Sequence, residues 1–141
     1  MASSPTRSGD VSALALRAVV VAALAVSAYA HFRLAKTYEP VGKDITQGTL
    51  FRVQGVLASL AAVLLIINAR VVGWAPAFMI GAGSLAAVLI YRYVNVGSIG
   101  PIPNMYEPIW RSQDNLKVIS AVAEGVATVG GAAGLLNAGL R

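Results

Sequence analysis

From Val71 to Tyr91 the chain carries no charged side chain. A helix over that stretch rises about 31 Å, close to the roughly 30 Å hydrocarbon thickness of a bilayer. Three other apolar stretches resemble it: one centred on Val19–Ala30, one from Val53 to Ala69, and one from Val118 to Leu140. With 57% of its 141 residues hydrophobic and 12% charged, the chain is too apolar for a soluble domain. The sequence therefore predicts an all-α polytopic membrane protein, a bundle of four transmembrane helices built from two helical hairpins. The helices are expected at about residues 11–35, 50–69, 71–94 and 115–140, after a polar N-terminal tail over residues 1–10.

Four spans and their connections consume nearly the whole chain. Any chemistry must therefore sit in the bundle or in its two longer loops. The chain has no cysteine, which excludes disulfides, thiolate chemistry and Cys-ligated metal. Its one histidine, His31, supplies neither a bis-histidine haem nor a His-rich metal site. No nucleophile–base, Walker or dinucleotide motif is present, and an aromatic fraction of 7% is low for a haem or quinone cavity. The expectation is a protein that is not an enzyme and holds no cofactor or metal. The net charge of +5 comes from bases at helix ends, where they anchor to lipid headgroups; nucleic acid is not an expected partner.

Arg17 lies near the start of the first span, where a long side chain can snorkel to the interface. Ala28-Tyr29-Ala30 also fits a signal-peptidase pattern behind an apolar run, so cleavage before His31 is an alternative to a retained first helix. Tyr38-Glu39-Pro40, Gly42 and Lys43-Asp44 interrupt the chain before the second helix. The second and third helices meet in a tight turn around Asn68–Gly73, with Trp74 as an interfacial anchor and Pro76 early in its helix. A long connection follows Tyr91-Arg92-Tyr93, passing Gly97, Gly100, Pro101 and Pro103 to Tyr106-Glu107-Pro108 and Trp110. Both Tyr-Glu-Pro loops fall on one face of the membrane, and the triplet's recurrence is read as coincidence. That face carries Arg33, Lys36, Lys43, Arg52, Arg92, Arg111 and Lys117, against Arg7, Arg17, Arg70 and Arg141 opposite. The positive-inside rule makes it cytoplasmic, and Glu39, Asp44, Glu107 and Asp114 count little against it.

Glu124 is the notable ionisable group inside the membrane. A lone carboxylate there costs several kcal/mol or takes up a proton. His31, Arg52 and Arg92 enter at the same level, with Gln54 near, so a bundle should gather Glu124, Arg92, Arg52, His31 and Gln54 into one polar cluster. Two readings stand. Glu124 pairs with Arg52 or Arg92 and locks the helices, or the cluster is a proton-linked or ligand-binding site at one mouth of the bundle. Tyr38, Tyr106 and Trp110 read as interfacial belt residues.

Gly130, Gly134 and Ala138 recur at four-residue spacing in the fourth helix, beside a stripe of Ala123, Ala127 and Gly131. Gly81 opens a shorter small-residue run, Gly81-Ala82-Gly83-Ser84, in the third. Small residues at that spacing let helices approach closely, either within the bundle or against a membrane-protein partner docked on helices three and four.

Ala-His-Phe-Arg-Leu at Ala30–Leu34, Gly-Thr-Leu-Phe-Arg-Val-Gln-Gly at Gly48–Gly55, Arg-x-x-Gly-Trp at Arg70–Trp74 and Ala123-Glu124 together give the chain a family likeness. Over residues 18–137 it resembles small four-helix integral membrane proteins of actinobacteria, distantly DoxX-like. The resemblance implies a multi-pass location in a bacterial plasma membrane and brings no catalytic residues. It also allows an accessory role in a larger assembly, including a respiratory one. The leading expectation is thus a non-catalytic accessory or scaffolding subunit in contact with membrane lipids. The alternative is a small proton-coupled transporter or ligand-binding membrane protein that uses Glu124.

Overall fold

The computed structural model describes residues 6–110 and 115–141, with side chains from Ser8 onward. Arg111, Asp114 and the side chain of Arg7 lie outside the described residues. The chain forms α1 (Thr6–Thr37), α2 (Gln47–Ile67), α3 (Val71–Tyr93) and α4 (Leu116–Gly139). All four are long and apolar enough to cross a membrane. The protein is an all-α, four-helix bundle of membrane-spanning helices.

The first helix starts earlier than the polar composition of residues 1–10 suggests. The helix continues through residues 6–10 despite Gly9, Ser12 Oγ donates back to the Ser8 carbonyl at 3.0 Å, and Ser8, Gly9 and Asp10 form an exposed extension of α1. Ala28 and Ala30 are buried inside this unbroken helix. Arg17 does more than snorkel. Its Nε donates to the Leu65 carbonyl at 2.7 Å and its Nη2 to that of Ile66, satisfying acceptors that the last turn of α2 leaves open.

At the start of α2, Thr46 Oγ1 accepts from the Thr49 N–H at 3.0 Å, an ordinary N-cap. Pro76 lies in the second turn of α3 rather than the first, so the N–H it lacks leaves the Val72 carbonyl without its i+4 donor. In the long loop, Ile99 and Ile102 exchange backbone hydrogen bonds around Gly100, whose φ of 55° suits a residue without a Cβ.

α1 packs on α2 and α4, α3 packs on α4, and α2 and α3 touch least of the neighbouring pairs. The core lies at the hairpin end, where Val20, Ala23 and Leu24 of α1 meet Ala61, Ala62 and Leu65 of α2, Trp74 and Ala77 of α3, and Ala127 of α4. The glycine stripe is spent here. A Cβ on Gly130 would meet Val20, one on Gly134 would strike the Trp74 ring, and one on Gly81 would press on Ala127. Ala138 packs against the same core. The close approach expected of these residues is intramolecular; the α4 side chains facing outward include Val122, Val129 and Leu136.

Candidate functional site

The loop end of the bundle is hollow. A cavity of about 340 Å³ is walled by His31 and Leu34 of α1, by α2 residues including Leu50, Val53 and Gln54, by α3 residues including Gly83, Ser84 and Arg92, and by Lys117, Ser120 and Glu124 of α4. Ile102, Met105, Glu107 and Trp110 of the long loop roof it. Its surface is mainly apolar with a few polar groups converging from different helices, the composition of a small-molecule site.

Glu124 is 2% exposed and sits in the cavity wall. Its Oε1 accepts from Ser84 Oγ at 2.7 Å, Ser120 Oγ at 2.7 Å and Ser27 Oγ at 3.3 Å. His31 Nε2 stands 3.6 Å from the same oxygen. The imidazole is oriented from its other side: Nδ1 lies 2.8 Å from the Ser27 carbonyl, and since a carbonyl only accepts, Nδ1 carries the proton. Nε2 is therefore the ring nitrogen turned to the carboxyl. Phe51 packs edge-on against His31 at 5.6 Å between ring centres.

The second oxygen is different. Among the described residues, Glu124 Oε2 and Gln54 Nε2 are buried side-chain atoms with no hydrogen-bond partner. They come from α4 and α2, and both residues line the cavity. One is an acceptor and the other a donor.

Of the expected cluster, the structure brings together Glu124, His31 and Gln54, with Arg92 at the rim; Arg52 is elsewhere. Arg52 turns outward to Glu39, 2.6 Å away, with both side chains about half exposed, because an interfacial loop carboxylate is reached without entering the bundle. Arg92 lays its guanidinium over the Trp110 ring at 4.2 Å and near the Tyr93 ring at 5.5 Å, a cation–π arrangement at the interface. The expected lock between Glu124 and Arg52 or Arg92 is thus corrected. Hydroxyls reach the carboxyl first: Ser120 from one turn away on α4, and Ser27 and Ser84 from across the bundle.

Ser27 and Ser120 were not picked out from the sequence, and Ser84 was read only as a small packing residue. Ser27 lies four residues before His31, Ser120 four before Glu124, and Ser84 is the lone hydroxyl in the middle of α3. At that spacing side chains share one helix face, and this was the available signal.

A second polar group closes the roof. Tyr38 Oη donates to Glu107 at 3.0 and 2.9 Å, and Lys117 Nζ pairs with the same carboxylate. The ammonium also sits 4.3 Å from the Tyr38 ring. Burial, together with the Glu107 carboxylate, pushes the Tyr38 hydroxyl above the usual phenol range. The two Tyr-Glu-Pro triplets therefore meet but serve differently. Tyr38 of the first holds Glu107 of the second, while Tyr106 is exposed. Comparison of the chain with protein-family models, curated proteins and solved structures gives no match.

Proposed function

We propose that this chain is a membrane-embedded binding protein that takes a ligand into the loop-side cavity and onto the Glu124 carboxyl. One observation carries the reading. Three serines hold one carboxyl oxygen, while the other is buried and unpartnered on a residue that lines the cavity. A carboxyl used only to tie helices together would spend both oxygens, because a buried polar atom without a partner costs about 1–3 kcal/mol. Gly130, Gly134, Ala138 and Gly81, which suggested an accessory subunit, are already spent inside the bundle, so no observation on them favours that role over binding. A bacterial plasma-membrane location and kinship with DoxX-like actinobacterial proteins belong to the same proposal. They rest on the motifs at Ala30–Leu34, Gly48–Gly55 and Arg70–Trp74.

The test is extraction into native-lipid discs, followed by mass spectrometry of the small molecules held by wild type and by Glu124→Leu. The expected result is a membrane-soluble molecule at about one per chain, retained by wild type and lost from the variant. Identical contents in both would overturn the proposal.

A second reading rests on His31 Nε2 beside Glu124 Oε1, a pair able to share one proton. If the bound molecule is also moved, proton-coupled transport follows. Glu124→Gln would then insert normally and abolish a pH-dependent flux in proteoliposomes.

A further inference from the structure

The cavity is bordered by α2 and α3, the neighbouring helices that touch least, and by two residues with unmet polar atoms of opposite kind. From these, and resting on the binding role proposed above, we infer that the ligand is an uncharged lipid alcohol admitted sideways from the bilayer between α2 and α3.

The polar atoms set the head group. Glu124 Oε2 lacks a donor and Gln54 Nε2 lacks an acceptor. A single hydroxyl donates to one and accepts from the other. An ammonium would satisfy Glu124 and leave Gln54 unmet. A carboxylate would satisfy Gln54 and meet Glu124 with no proton to give. An alkane would satisfy neither, and each buried atom left unpaired is costly.

The remaining wall sets the tail. Leu34, Leu50, Val53, Val88, Ile102 and Met105 are apolar, and the two lining cations are engaged elsewhere, Arg92 over the Trp110 ring and Lys117 with Glu107. A cavity of about 340 Å³ is at the small end of ligand sites, so it holds a head and the first part of a chain.

The route follows from what is covered. Above, Ile102, Met105 and Trp110 form the roof, held down by Glu107, whose side chain is tied to Tyr38 and Lys117 and whose N–H donates to the Tyr91 carbonyl at 2.9 Å. At the side, α2 and α3 touch least. The lining residues Val53, Gly83 and Ala87 are exposed there, and nothing stands within 4 Å of the place a Cβ on Gly83 would occupy. This seam lies within the membrane-spanning lengths of both helices. A tail can stay in lipid while the hydroxyl reaches Glu124.

The experiment uses the full chain in nanodiscs and a dodecanol bearing a diazirine close to its hydroxyl. After photolysis, the labelled residues are mapped by mass spectrometry. Competitors are 1-dodecanol, dodecane, dodecylammonium and dodecanoate. Saturable labelling of the α2–α3 seam, competed by 1-dodecanol alone, is expected. Gln54→Leu should weaken that competition about tenfold, the loss of one buried hydrogen bond. Gly83→Phe should slow labelling by a similar factor. Neither residue belongs to the packed core, and chromatographic monodispersity confirms that each variant folds.

Competition by dodecylammonium or dodecanoate equal to that by dodecanol would overturn the alcohol assignment and leave the binding role standing. Labelling of Gly83→Phe at the wild-type rate would overturn the lateral route. Absence of any saturable label in the cavity would overturn the alcohol assignment; combined with identical native-disc contents of wild type and Glu124→Leu, it would take the binding role with it.

Discussion

The two ends of this bundle are made from the same four helices and packed by opposite rules. At the hairpin end, glycine and alanine faces bring backbones together around Val20, Leu24, Leu65 and Trp74 until no room remains for an added methyl group. At the loop end, serines, a histidine, a glutamine and a glutamate surround a space that no side chain fills. The connections explain how both coexist. Only Asn68, Ala69 and Arg70 separate α2 from α3, which holds those helices close at one end. At the other end they lead into the two long loops and stand apart around the cavity. In a bilayer, helix association draws on close packing and interhelical hydrogen bonds rather than on water exclusion. One end can therefore anchor the fold while the other is left open for a ligand.

The largest effect should come from putting bulk into the tight end. Gly134→Leu drives a side chain into the Trp74 ring, and overpacking of a rigid aromatic contact costs about 3 kcal/mol. Loss of monodisperse protein after extraction is expected. The matched change at the hollow end is Gly83→Leu, at a position where an added Cβ meets no atom within 4 Å, and it should leave thermal stability within about 0.5 kcal/mol of wild type. Equal damage from the two would erase the contrast between the ends.

Removing bulk tests the same contrast from the other side. Leu65 is fully buried in the core, and Leu65→Ala should cost about 2 kcal/mol or more through the void it leaves. Leu50 borders space that is already empty, so Leu50→Ala should cost less than half as much in the same detergent unfolding assay. A Leu50 cost matching that of Leu65 would mean that the loop end is packed as the hairpin end is.

How legible each end was follows from the physics that builds it. The four spans were readable because a bilayer demands a long apolar run, and the helix starts at α2 and α4 differ from expectation by a few residues or fewer. The Gly130, Gly134 and Ala138 stripe was visible as a packing face. Its partner was not, because Val20 and Trp74 are ordinary apolar residues until the fold sets them opposite those glycines. At the site, Glu124 and His31 stood out as ionisable groups at membrane depth. The destination of Arg52 did not, since an arginine near a helix end is equally suited to a carboxylate within or outside the bundle. Ser27 and Ser120 escaped notice, and Ser84 was read as a packing residue, because a hydroxyl in a helix is ordinarily satisfied by its own backbone. Only the bundle turns these three toward one oxygen.

The roof offers an intermediate test. Lys117 is nearly buried and Glu107 about a quarter exposed, so Glu107→Gln removes a charge partner from an ammonium that cannot easily reach water. A cost of about 1–2 kcal/mol is expected, kept below the fully buried case by the exposure of Glu107. The site of the damage is the sharper readout. Hydrogen exchange should rise through the 94–110 loop and stay unchanged across Leu65 and Trp74, because the hairpin end shares no side-chain contact with the Glu107 group. Exchange that rises equally in both regions would show that the two ends unfold as one unit.

The smallest expected effect concerns the pH dependence of that same roof. Burial and the carboxylate of Glu107 hold the Tyr38 hydroxyl above the usual phenol range. An unfolded tyrosine ionises near pH ~10, whereas folded Tyr38 still keeps its proton there. The folded state then binds more protons than the unfolded state, so stability falls as pH rises. The Tyr38 contribution is fully present below pH ~10 and drains away above it. Tyr38→Phe has no proton to lose, so its stability deficit relative to wild type should be constant from about pH 8 to 10 and narrow beyond. Parallel thermal-unfolding profiles for the two proteins through pH ~11 would mean that neither burial nor the Glu107 carboxylate raises the Tyr38 hydroxyl in the folded protein.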